Sequence, residues 1–208
     1  MNIHIEGNIG AGKTTFLEFI SKHFDCYISK EPVEEWMSLM DGNKNILDKF
    51  YEDINRWSFA FQMNCFISRI HQTNKVPKTG VNFIERSIHS DKIFASQCYE
   101  MGNMNPIEIT IYNNWSSWLE FELGNKIDAI IYLRSTPEVS ARRIKERARG
   151  AESSIDIEYL ENLHKRHDYW LQNTDIKVYT IDADNLDYSD PGLFHVIKNI
   201  IKETAASN

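Results

Sequence analysis

Lys13 and Thr14 close the stretch Gly7-x-x-x-x-Gly12-Lys13-Thr14, which lies inside EGNIGAGKTT at Glu6–Thr15. A lysine and two hydroxyls follow glycines that allow positive φ and turn successive backbone N–H groups inward. This is the P-loop pattern, with a short apolar strand before it and a helix after it. Lys13 is placed to reach the β- and γ-phosphates of a nucleotide, and the Thr14 hydroxyl to touch Mg²⁺. Gly7, Asn8, Ile9, Gly10, Ala11, Gly12, Lys13, Thr14 and Thr15 are therefore the candidate phosphate cradle.

Further charged residues fall at the ends of other candidate strands. KEPVEEW puts Glu31, Pro32 and Trp36 after the second strand, and ERS puts Glu85, Arg86 and Ser87 after the third. A carboxylate beside phosphates can hold Mg²⁺ or act as a base. An arginine beside it can orient that base or clamp a phosphoryl oxygen. VSARRIKERARGAES then carries Arg142, Arg143, Lys145, Arg147 and Arg149, five cations in eight positions. In an acidic chain this reads as a lid over a migrating phosphoryl group, because such transfer needs cations and excluded water. Donor loop, metal carboxylate and arginine lid together define a phosphotransferase. For the acceptor, Tyr51 offers a hydroxyl and Gln62 an amide suited to a nucleobase edge. Trp36, Phe66 and Phe94 are candidates to stack on a ring. Arg69 lies two helical turns after Gln62 on the same face, and an arginine on so apolar a helix needs an anionic partner.

The elements that must position these groups alternate. Strands are expected at Asn2–Ile5, Cys26–Ser29, Val81–Glu85, Asp128–Leu133 and Lys177–Asp182. Helical spacing marks 16–24, 54–72, 106–124 and 155–173, and Asn74–Gly80 reads as a loop. Ser135–Glu138, STPE, is a capping-box signal with Pro137 suited to the first turn. Alternating strands and helices predict an α/β fold with a parallel sheet covered on both faces. The 208 residues suit one domain, 1–208, and the net charge of −7 argues against a general nucleic-acid or anionic-membrane surface. No apolar run approaches a membrane span, and Glu6 close to the first residue argues against a leader. Cys26, Cys65 and Cys98 are widely spaced and odd in number, which suits a reducing compartment. A soluble, cytoplasmic protein is expected.

GNIGAGKTT, EPVEEW, FQ, ERSIHSD and RARGAES, in that order and spacing, resemble the deoxynucleoside kinases of the deoxycytidine/deoxyguanosine kinase and insect deoxynucleoside kinase type. The likeness runs over nearly the whole chain. It implies a P-loop NTPase-like kinase with a five-stranded parallel sheet, an arginine-rich lid and usually a homodimer. It also implies ATP- and Mg²⁺-dependent 5′-phosphorylation of deoxynucleosides in nucleotide salvage.

By the same resemblance Glu31 is the base for the 5′-hydroxyl, Arg86 orients it and contacts the acceptor end, and Glu85 sits near Mg²⁺ or takes the proton instead. Gln62 reads the base edge, Tyr51 and Glu152 bind the 3′-hydroxyl, and Arg143, Arg147 and Arg149 are the lid arginines. Asp182, Ala183 and Asp184 open the loop that packs on the adenine of ATP. Cys65 holds a pocket-lining position often filled by a small or branched apolar residue. One residue is missing between Asp91 and Phe94 relative to the animal enzymes. An arginine–aspartate pair at Arg69 and Asp91 accompanies preference for deoxycytidine and purine deoxynucleosides over thymidine. A thymidine-preferring or broad-specificity deoxynucleoside kinase is the first competing reading, with thymidylate kinase and a non-catalytic nucleotide-binding subunit after it.

Overall fold

The computed structural model describes residues 1–150, 152 and 155–207. The five expected strands form one parallel sheet: β1 (Asn2–Glu6), β2 (Tyr27–Ser29), β5 (Asn82–Glu85), β6 (Ala129–Arg134) and β7 (Val178–Asp182), in the order β2-β5-β1-β6-β7. β1 is central. Ile3 lies beside Phe83 on one flank and Ala129 on the other, and Ile5 beside Glu85 and Ile131. β6 reads as an apolar run, AIIYLR, because helices cover both of its faces. Two further strands, β3 (Met40–Asp41) and β4 (Lys44–Asn45), pair antiparallel in a small hairpin that the sequence reading does not contain.

One layer against the sheet is α1 (Lys13–His23) with α9 (Pro191–Ala206). Phe16, Leu17 and Ile20 from the first and Leu193, Ile197 and Ile200 from the second pack on Ile3, Ile5 and Leu133. The buried spacing in α9 is the 3–4 rhythm of an amphipathic helix. The other layer is α4 (Ile54–Thr73), α5 (Ile88–Glu100) and α6 (Pro106–Leu123), joined by the short α2 (Val33–Met37) and α3 (Ile46–Glu52). Phe50, Phe61, Phe66 and Tyr112 lie in its core. α7 (Pro137–Arg147) and α8 (Ile157–Gln172) complete the cover. Leu160, Leu163, His167 and Leu171 of α8 are buried, as their spacing predicts. Among the described residues, no helix is long and apolar enough to cross a membrane.

The capping box at Ser135–Glu138 is corrected by one residue. Thr136 is the N-cap, its side chain accepting from the Val139 amide at 3.4 Å, with Pro137 at the first position. The Ser135 hydroxyl is engaged elsewhere, donating to Asp184 Oδ1 at 2.8 Å.

The chain runs from β1 to the β2 edge, returns to β5, then crosses β1 to β6. The direction of winding reverses between β1 and β5. In an open parallel sheet the crevice beyond the carboxyl ends at such a switch is where ligands sit. The two strands that flank it end in the P-loop and in ERS.

Candidate active site

The P-loop leaves β1 and enters α1. Gly10 has φ of +78°, and a Cβ there would stand 2.5 Å from the Ser140 carbonyl oxygen, so only glycine fits between the loop and α7. Lys13 Nζ donates to the carbonyls of Gly7 at 3.2 Å and Asn8 at 2.8 Å. Burial, then the nearby Arg86, lowers its pKa to about 7 against the pull of Glu85 and Glu31. Asn8 fastens the loop to α8 by donating to the Leu160 carbonyl at 2.9 Å.

Two carboxylates converge beside the loop. Thr14 Oγ1 donates to Glu85 at 3.1 and 3.3 Å from its two carboxylate oxygens. The Glu31 amide points at Glu85 Oε2 at 3.4 Å. Glu31 Oε1 takes Arg69 Nη2 at 2.8 Å and lies 3.2 Å from Arg86 Nε. Arg69 also donates from Nε to Asp91 Oδ2 at 2.6 Å and from Nη1 to the Glu85 carbonyl at 3.1 Å. Burial opposes the charge on Glu31, but Arg86, Arg69 and Lys13 outweigh it and hold its pKa down to about 2. Asp91 moves the other way, raised by its burial against the pull of Arg69.

These groups line one cavity of about 1030 Å³. The end that would take a phosphate donor, at the P-loop, holds Ile9, Gly10, Gly12, Lys13, Thr14, Thr15 and Arg143. The end that would take an acceptor holds Trp36, Tyr51, Gln62, Cys65, Asp91 and Phe94, with Glu31, Arg69, Glu85 and Arg86 between. The Arg86 guanidinium lies 4.8 Å from the Phe94 ring centre, so that ring faces the arginine that also meets Glu31. Phe66 is a core residue packed edge-on to Tyr112 and does not line the cavity. The space can hold a nucleotide and a ring-bearing acceptor end to end.

The sequence profile of the family described as deoxynucleoside kinase matches residues 3–205. The chain belongs to the deoxynucleoside kinase family. It is 39% identical to human deoxycytidine kinase over 211 residues, covering 89% of this chain and 78% of that one. It is 36% identical to deoxycytidine kinase 2 of Gallus gallus over 208 residues, covering 88% and 77%. It is 35% identical to human mitochondrial thymidine kinase 2 over 170 residues, covering 81% and 63%.

The kinase's arginine-rich segment leaves α7 at Ala148, a non-glycine residue with φ of +48°. Arg147 bonds Glu152, and Arg149 Nη1 lies 3.5 Å from Glu152 Oε1. All three line the cavity mouth. Ala151 and Ser153 of that motif lie outside the described residues. Arg143 Nη2 donates to the Ala183 carbonyl at 2.8 Å, joining the donor end to the loop after β7. Of that loop, Ala183 and Leu186 line the cavity and Asp182 and Asp184 do not. Asp182 accepts from the Asp184 amide at 3.0 Å and Asn185 at 3.1 Å, while Asp184 receives Ser135 and the Thr136 amide. Gly7, Asn8 and Ala11 also stand behind the lining.

Sequence reasoning missed Phe61, Tyr159 and Tyr188 of the lining. Phe61 lies one position before Gln62 and carries a core signal alone. Tyr159 and Tyr188 arrive from α8 and from the loop before α9, with no motif around them.

Proposed function

We propose that the protein transfers the γ-phosphoryl group of ATP to the 5′-hydroxyl of a deoxynucleoside, favouring deoxycytidine, deoxyadenosine or deoxyguanosine over thymidine. The observation that carries the reading is Arg69, which ties Asp91 at the acceptor end to Glu31 beside the P-loop. Glu31, held ionised by two arginines, takes the proton as the 5′-oxygen attacks the γ-phosphorus and the bond to the β-phosphate oxygen breaks. Lys13 and the lid arginines meet the charge on the phosphoryl oxygens. Gln62 presents its amide to the base edge, Trp36 and Phe94 flank the ring, and Tyr51 with Glu152 holds the 3′-hydroxyl. The Arg69–Asp91 pair fills the space that a thymine 5-methyl group needs and directs hydrogen bonds at an exocyclic amino group.

The Thr14 hydroxyl and the Glu85 carboxylate, bonded to each other, form an all-oxygen pair that suits Mg²⁺, which takes few protein ligands and keeps its waters. When bound, the ion neutralises phosphate charge.

We further propose a homodimer formed through α4 and α6. Ile67, Ile107, Trp115 and Trp118 are each at least half exposed on these packed helices. Light scattering on a sizing column tests it, and a monomer at micromolar concentration refutes it.

A panel of four deoxynucleosides plus thymidylate at one ATP concentration, read as kcat/KM, tests the activity. Thymidine leading the panel overturns the base preference, thymidylate leading it overturns the acceptor, and no turnover overturns the reaction.

A further inference from the structure

Arg86 is held in the left-handed region at φ of +62°, where a side-chain-bearing residue stays only if its surroundings over-determine it. Three consecutive residues of β1 supply that constraint. The His4 ring bonds through Nδ1 to the Arg86 carbonyl at 2.8 Å. The Ile5 carbonyl accepts the Arg86 amide at 2.9 Å. The Glu6 carboxyl accepts the Ser90 hydroxyl from the first turn of α5. His4 and Glu6 alternate with Ile3 and Ile5, so both side chains point to the face of the sheet where α5 begins.

Both groups are buried, and the proposed chemistry does not use either. A carbonyl only accepts, so His4 carries its proton on Nδ1, and Nε2 has no partner among the described residues. Burial keeps the ring neutral by lowering the His4 pKa to about 4. With its backbone fixed, Arg86 reaches Gly7 O with Nη1 at 3.0 Å and Glu31 with Nε.

We infer that His4 and Glu6 are positioning residues for phosphoryl transfer: they hold the Arg86 carbonyl and the start of α5, fixing the turn that lays the Arg86 guanidinium on Glu31. The inference rests on the reading of Glu31 as the base oriented by Arg86. A shift of Arg86 by an ångström leaves the nucleoside pocket intact but misplaces the base, so the loss falls on kcat.

The test is steady-state kinetics on His4→Leu and Glu6→Leu beside His4→Asn and Glu6→Gln. The asparagine amide nitrogen lies as many bonds from the backbone as Nδ1, and the glutamine carbonyl still accepts from Ser90. The leucine variants should lose about 10- to 100-fold in kcat, with nucleoside KM within about threefold of wild type. The asparagine and glutamine variants should recover kcat to within about threefold. Ser90→Ala removes one oxygen from the same link and should lower kcat several-fold with the fold kept, which decides the matter where a leucine variant does not fold. Wild-type kcat in folded His4→Leu or in Ser90→Ala overturns the inference, as does a loss that asparagine does not rescue or that KM shares. Glu31→Gln runs alongside. Full kcat there overturns the base reading and the inference with it. An impaired Glu31→Gln beside a fully active His4→Leu overturns the inference alone.

Discussion

At Glu31, replacing one carboxylate oxygen by an amide nitrogen removes the proposed proton acceptor and keeps the shape. Glu31→Gln should therefore lower kcat by about 10²–10⁴-fold while nucleoside KM changes little. Unchanged kcat would move the proton to Glu85. Arg69 gives a second test, because Nε, Nη1 and Nη2 are all engaged, on Asp91, the Glu85 carbonyl and Glu31. Asp91→Ala strands part of a buried charge. It should cost roughly 3 kcal/mol in urea denaturation, the low end for a broken buried pair because Glu31 remains, and it should slow every substrate. Arg69→Met with Asp91→Ala opens the space without a stranded cation. The ratio of thymidine to deoxycytidine efficiency should rise, while kcat falls for both because Glu31 loses one of its arginines. An unchanged ratio would remove the pair from base selection. The sequence shows that Arg69 needs an anion but not that two anions share it. Glu31 and Asp91 meet there only after two strands and two helices are in place.

The α7 helix shows what local sequence can and cannot specify. Ser135 and Thr136 both fit an N-cap, and the pattern alone favours the one three residues before Glu138. The fold chooses Thr136 because Ser135 faces Asp184 across the neighbouring loop. The apolar run of β6 and the 3–4 rhythm of α8 are long enough to read, whereas the two-residue strands of the β3–β4 hairpin are too short to show any period. The identities of Asp182 and Asp184 are legible in the chain, yet their side-chain directions depend on backbone turns that no motif encodes. At its other end α7 stops on Ala148, whose left-handed backbone costs an alanine about 1 kcal/mol more than a glycine. Ala148→Gly should raise unfolding stability by roughly 0.5–1 kcal/mol, read as a higher urea midpoint at constant m. A lower midpoint would mean that the turn is held by contacts which the extra freedom of glycine loosens.

At the scale of the whole molecule, the proposed donor and acceptor sites share one cavity, and Arg147 and Arg149 at its mouth meet Glu152 beside Tyr51. MgATP and a deoxynucleoside should each raise the melting temperature, by about 2.7 kcal/mol of stabilisation at one hundred times the dissociation constant. Together they should exceed the sum, because the contacts of Arg147 and Arg149 with Glu152 join the two ends of the cavity. Strictly additive shifts in a thermal-melt series would mean two independent sites. The register of the sheet has a consequence of another kind. β1, which carries the P-loop, pairs with Asn82–Glu85 and then with Ala129–Tyr132. During translation it leaves the ribosome with neither neighbour made. At about 5–20 residues per second the second flank arrives on the order of 6–25 seconds later. For that interval Ile3 and Ile5 have no strand to close both edges, and the phosphate loop has no wall at Leu133 or Ser140. The nascent chain thus carries open edges on β1 until β6 emerges, and its nucleotide site stays incomplete until the loop after β7 brings Ala183, Leu186 and Tyr188 to the cavity.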